Sequence, residues 1–397
     1  MATATATKKS RSKKAQVETT GEVIDQIVPD VDVTADSDIT ADPETRTDKW
    51  EDKKLVRMAP WTRAALGSVE SFPKGTLVSE AGRSLGLDFD LRVEPLLVDI
   101  DGELHRTGKS ALVRPAFMGQ PVTVVGTAGE KYEPVQNMDL FKLLDPVVEK
   151  YPLESIGVMP NGDGIFITLN AGKFEVVKGE EITEHIIIRH VQNGGSALLA
   201  MFSGMRLACW NALNAAIAQA SIRARILHTK GATARTGDAV ALMTDFAIAK
   251  ERTQRVYQQL AMTKIVEEQV DAIIAAAFPL PKPGHNASLI EGIAEDVMAN
   301  APVGLRDRAE NDRVRYEYAK GRMLEFRSTT KALFNRIEDE HPVIAGTAWA
   351  AVNAVAEASD YRRGASIESV SVSTMFGSRA QEKTRAFEEA LAIIARS

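Results

Sequence analysis

Two hydrophobic rhythms divide this chain. From about residue 90 to 191, short apolar runs alternate with turn-forming residues, as antiparallel hairpins require. "EPLLVDI" is followed by Asp101-Gly102, a tight hairpin turn, and by the returning strand "ELHRT". "QPVTVVG", "GIFITLN", "FEVVKG" and "EHIIIRHV" continue the run, with "NGDG" at 161–164 and "AGK" at 171–173 as turns between them. One helix is expected inside this region. In "NMDLFKLLDPVVEKY", Leu140, Phe141, Leu144 and Val148 fall at helical spacing, with Asp145-Pro146 as a kink.

After residue 196 the period becomes helical. "MRLACWNALNAAIAQASIRARI" is alanine-rich and carries Leu213, Ile217 and Ala220 on one stripe. Residues 238–278 read as one or two helices, and "PLPKPGHN" at 279–286 as a rigid loop. "LIEGIAEDVMAN", the charge-laced stretch at 304–340, "AGTAWAAVNAVAEASDY" and "RAQEKTRAFEEALAIIAR" are further helices. The expected class is α+β: an antiparallel β-sheet of hairpins in the N-terminal half, followed by a mostly helical C-terminal half. The expected boundaries are a disordered charged tail over 1–50, an α+β domain over 51–237, and a helical region over 238–397 packed on it or following it. Order is expected to begin near Trp61, in "KLVRMAPWT".

Charge sharpens the view of the tail. Residues 1–20 carry Lys8, Lys9, Arg11, Lys13 and Lys14 against Glu18, whereas residues 21–51 carry ten acids against Arg46 and Lys49. Opposite blocks with little apolar periodicity predict a solubilising tail. Over all 397 residues the formal net charge is −6, which excludes a uniformly basic nucleic-acid binder but not a local basic face. The one cysteine, Cys209, allows no internal disulfide and no thiolate metal cluster. It is expected to be an inert core residue. No apolar run is long enough for a membrane helix, and no signal sequence is expected; a cytoplasmic location fits.

Gly108-Lys109-Ser110 raises the question of a phosphate-binding loop. That motif needs four residues between its glycines, and here five separate Gly102 from Gly108. Glu103 stands where the first glycine belongs, and Pro115 cuts short any helix that would follow. Paired hairpin strands are the better expectation.

The strongest anomaly is an acid-free run. The 53 residues between Glu184 and Asp238 hold no Asp or Glu, yet carry Arg189, Arg206, Arg223, Arg225, Lys230 and Arg235. They also carry His185, His190 and His228. Such a run suits a face for phosphates. The same bias arises if these arginines pair with acids elsewhere, such as those at 304–340, and both readings stay open. Gly194-Gly195-Ser196, with Asn193, reads either as an anion-binding nest opening a helix or as a plain turn. Gln136-Asn137 offers a helix N-cap at Asn137, or a polar pair able to bond a base. Most of the aromatic candidates Tyr132, Phe141, Phe166, Phe174, Phe202 and Trp210 read as core. His185 and His190, five apart on one strand, point to opposite faces and cannot chelate one ion together. No metal site, cofactor or catalytic residue is expected from the spacing.

Four segments together resemble a known family: "VVGTAGEKYEPVQNMDLFKLLD" at 124–145, "IIRHVQNGGSALLAMFSGMRLACWNAL" at 187–213, "ILHTKGATAR" at 226–235 and "GTAWAAVNAVAEASDYRRG" at 346–364. The family is the phage- and plasmid-borne domain of unknown function 932. At "HVQNGGSA" this sequence departs from the Asn-Ser-His-Asp-Gly-Ser of the family. The resemblance implies no catalytic residues; it implies a mobile-element protein in a bacterial cytoplasm.

The expectation drawn from these features is non-enzymatic DNA binding, as a single-strand binder or annealing factor in replication or recombination, by a homo-oligomer. The contacts would come from Arg189, His190, Arg206, Arg223, Arg225, His228, Lys230 and Arg235, with Gln136, Asn137, Asn193 and Ser196 as polar contacts. Two other classes stay open: a factor that binds a host or phage protein, and a metal-dependent enzyme on nucleotides or nucleic acid.

Overall fold

The hairpin region folds as two antiparallel sheets. In the computed structural model, the residues described are 65–68, 72–73, 75–117, 119–159, 162–194, 198–206, 211–213, 239–282, 303–362 and 367–396. All of them fall in the unit Ala41–Ser397. The larger sheet holds β1 (Ala65–Ser68), β5 (Leu153–Val158), β6 (Gly164–Val177), β7 (Glu180–Val191), β8 (Leu199–Arg206) and β9 (Asn211–Leu213), in that spatial order. The smaller holds β2 (Arg92–Ile100), β3 (Glu103–Arg114) and β4 (Thr123–Gly129). The β2–β3 turn is Asp101-Gly102, with φ of 54° and 90°. Two successive positive φ values are what a two-residue hairpin needs to match the strand twist, which is why Asp-Gly works there.

β6 and β7 are buried on both faces, so their sequences read as continuous apolar runs. One face carries Ile165, Ile167, Leu169, Ile186 and Ile188. It packs on α1 (Val78–Ser84) and α2 (Asn137–Leu144) through Val78, Ala81, Leu140, Phe141 and Leu144. α2 then tightens into a 3₁₀ turn at Asp145–Val147, where Pro146 removes an amide donor. The opposite face presents Phe166 and Ile187 to Met375.

The helical half comprises α3 (Ala239–Met262), α4 (Glu267–Ala277), α5 (Val303–Glu340), α6 (Ala348–Asp360), α7 (Ile367–Phe376) and α8 (Ser378–Arg396). Its core centres on Tyr257, Trp349 and Phe387, and it meets the sheet at Val176 and Ile182. Trp349 Nε1 donates to Glu180 Oε1 at 3.0 Å, and the Gly204 amide donates to Tyr257 Oη at 3.3 Å. Lys250 Nζ donates to the Ala171 carbonyl at 2.6 Å.

The expectation of helix after 196 is corrected by the structure. Residues 199–206 and 211–213 are strands, with Ile186 opposite Phe202 and Ile188 opposite Ala200. Helix propensity is a weak preference, and here the open edge of β7 supplied a ladder of hydrogen bonds that outweighed it. Leu198, Ala200 and Phe202 are buried at a period of two, the signal that alanine content had hidden. Trp61, Cys209, Trp210, Ile217, Ala220, residues 283–286 and the expected helix at 289–300 lie outside the described residues, as does the tail.

Candidate functional site

The Gly-Lys-Ser segment is strand, not loop. Lys109 and Ser110 lie inside β3, paired with Gly129 and Ala128 of β4. No phosphate cradle forms there.

The polar pair at 136–137 is committed to the fold. Gln136 is itself the N-cap position of α2, so the cap falls one residue before the expected Asn137. Its side chain accepts from the Leu91 amide at 2.8 Å and donates to the Leu91 carbonyl at 3.2 Å. Asn137 is fully buried and donates to the Leu87 carbonyl at 2.9 Å. Together they moor residues 87–91 to the helix start.

The acid-free run enters the described structure on β7. Arg189 is half-buried on the face that meets α7: its guanidinium carbon lies 5.7 Å from the Phe376 ring centre. Burial lowers its pKa, and the charge of Asp163 opposes that shift. His190, on the other face, is fully buried and donates from Nε2 to the Val135 carbonyl at 3.0 Å. Asn193 donates to Asp163 at 3.3 Å. Gly194, at φ 83°, lies just past the end of β7, and the next described element is the strand β8, not a helix. Arg206 pairs through its backbone with Ile182 and with Asn211. Ser196, Arg223, Arg225, His228, Lys230 and Arg235 lie outside the described residues. The structure therefore places Arg189 and Asn193 near Asp163 at one end of β7 and turns His190 into the core on the opposite face.

Two other polar clusters hold the sheet. His185 Nδ1 lies 2.5 Å from Glu154 Oε2, with the imidazole almost wholly excluded from solvent. Glu184, buried on the opposite face, accepts from Gln254 at 2.9 Å and pairs with Lys250 at 3.2 Å. Burial pushes its carboxyl pKa up, against the pull of Lys250. These contacts tie α3 to the sheet. Among the described residues no group of three His, Cys, Asp or Glu side chains is placed to hold a metal ion. No helix among them is long and apolar enough to cross a membrane.

The outward-facing candidate lies on α5. Arg315, Tyr318 and Arg322 stand three and four residues apart, which puts them on one helix face. Tyr318 is 56% exposed, and Arg322 lies 5.9 Å from its ring centre. No hydrogen bond or ion pair ties Arg315 or Arg322 to another described residue. By contrast, Arg313 on the same helix is held by both oxygens of Glu310. Arg322 also lies 5.4 Å from the Phe326 ring centre. An exposed phenol ring with one guanidinium beside it and a second arginine one turn away on the same helix face can stack on a planar ligand and neutralise an anion. In the sequence, the acids interleaved along α5 mask the charge of this stripe. Helical spacing alone would have found it.

The fold is α+β, with antiparallel sheets in the N-terminal half and helices mostly in the C-terminal half. The chain belongs to the family described as Domain of unknown function (DUF932), whose profile matches residues 124–391. No curated protein and no solved structure matches it.

Proposed function

We propose that this protein binds nucleic acid without catalysing a reaction on it, as a single-strand binding or annealing protein of a phage or other mobile element. It would work as a homo-oligomer in the bacterial cytoplasm, in replication or recombination. The observation that carries this reading is the exposed Tyr318 between Arg315 and Arg322 on α5. Single strands are held by rings that stack on bases and by cations that track the phosphates, without base-specific bonds. The acid-free run from 185 to 237 supplies a second store of positive charge in the same chain.

The test is a titration of labelled single-stranded oligonucleotide by fluorescence anisotropy. Tyr318→Ala is expected to weaken binding by about 1–3 kcal/mol, the worth of one stacked base. Arg315→Ala with Arg322→Ala is expected to lower the salt slope by about 1.4, since each lost phosphate contact on a single strand is worth about 0.7. Unchanged affinity and slope in both variants would remove α5 from the site.

A further inference from the structure

The least buried strand surface described is the outer part of the β2–β3 hairpin. β4 pairs with β3 only from Lys109 to Arg114. Residues 96–107 therefore form a two-stranded ribbon with no third strand beside it among the described residues. Leu97 is 44% exposed, Val98 44%, Ile100 51% and Leu104 68%. Their cross-strand register places Leu97 and Leu104 on one face, Val98 and Ile100 on the other, so both faces present aliphatic side chains to water. A lone two-stranded ribbon is marginally stable in water, and an open edge with exposed aliphatics is a template for another strand. This arm also precedes the family-matched region 124–391.

We propose that the arm pairs with the same arm of a second copy of this chain, antiparallel, along the open edge of β3. This rests on the homo-oligomer reading above and names the surface that would build it. Three features support the choice of partner. The Ile100–Glu103 pair closes a two-residue turn, so its hydrogen bonds point inward, and the amides of Leu104 and Arg106 point to the open edge. A two-fold axis at His105 sets Leu104 of each arm against Arg106 of the partner subunit, a matched pair of outward-bonding residues. The same axis carries the Asp101-Gly102 turn of each arm toward Lys109 of the partner subunit, beyond the register shift of β3 at Thr107–Lys109 and where β4 begins to pair. The two arms then end where each other's third strand starts, and two three-stranded sheets become one.

Charge points the same way. Asp99, Asp101 and Glu103 make the tip acidic, and Arg106 and Lys109 make the base basic. An arm with an acidic tip repels phosphate, so it is a poor surface for DNA or an anionic membrane. Antiparallel self-pairing brings acidic tip to basic base twice over.

Sedimentation velocity of the full chain over a concentration series tests this. Wild type is expected to self-associate. Leu104→Pro, which removes one outward amide, is expected to weaken association by about tenfold or more. Asp101→Lys and Lys109→Asp are each expected to weaken it, and the two together to regain it, because the pair of charges is then swapped rather than lost. The double variant carries the same turn strain as Asp101→Lys, so its recovery separates charge from misfolding. A chain that is monomeric at every concentration overturns both the arm pairing and the oligomer reading. An oligomer that ignores all four variants overturns the arm pairing alone.

Discussion

Lys383 Nζ lies 2.8 Å from Asp360 Oδ1, and neither side chain reaches solvent. The ammonium also donates to the Thr374 carbonyl at 3.1 Å. Around it, Arg379 donates to the Ser359 carbonyl at 2.6 Å, and Arg362 pairs with Glu382 at 2.8 Å. α6, α7 and α8 are thus locked to one another by a buried ionic cluster. Burial lowers the pKa of Lys383, and Asp360 works against that shift.

Lys383→Met is expected to cost about 3–5 kcal/mol, because Asp360 is left as an uncompensated buried charge. Adding Asp360→Leu is expected to recover much of that loss. Urea unfolding of the two single variants and the double checks this as a mutant cycle. Additive losses would show that the two groups are not coupled.

Glu184 gives the fold a pH dependence of definite sign. Burial raises its folded-state pKa, while Lys250, Gln254 and His185 lower it less than burial raises it. A raised carboxyl keeps its proton in the folded chain at pH values where the unfolded chain has lost it. Its contribution is therefore fully present below the ordinary carboxylate range and declines as pH rises through the folded value. Glu184→Gln is expected to flatten that decline in denaturant melts taken at several pH values. A profile with the wild-type slope would mean that Glu184 does not set it.

Gly126 marks where the small sheet meets the turn after β7. A Cβ built there falls 2.0 Å from the Asn193 carbonyl oxygen. Gly126→Ala is expected to destabilise the chain by about 1–3 kcal/mol through forced backbone shifts. An unchanged unfolding midpoint would show that the contact yields without cost.

Much of this architecture is legible in the residues. Turn residues mark the hairpins, including Asp101-Gly102, and the helical period from 304 to 340 corresponds to α5. β8 shows why local pattern has a limit: its pairing partner lies on β7, and strand addition is a nonlocal choice. Gln136 and Asn137 were visible as polar residues at a helix start, but their partners Leu91 and Leu87 are more than forty residues away. Arg189 shows the same limit for the candidate site. Its charge is plain in the sequence; its position against Phe376 depends on α7 arriving from the far end of the chain.

The two stores of positive charge can be separated. Arg223→Ala with Arg225→Ala is expected to lower the salt slope of single-strand binding by about 1.4, as is the Arg315, Arg322 pair on α5. A slope that falls for one pair and not the other identifies which cations meet phosphate.

The most direct measurement is the anisotropy of labelled single-stranded and duplex oligonucleotides titrated with the wild-type chain across a salt series. The account predicts single-strand binding at about micromolar affinity or tighter, weakening steeply as salt rises. No binding to either strand form at low salt would contradict it.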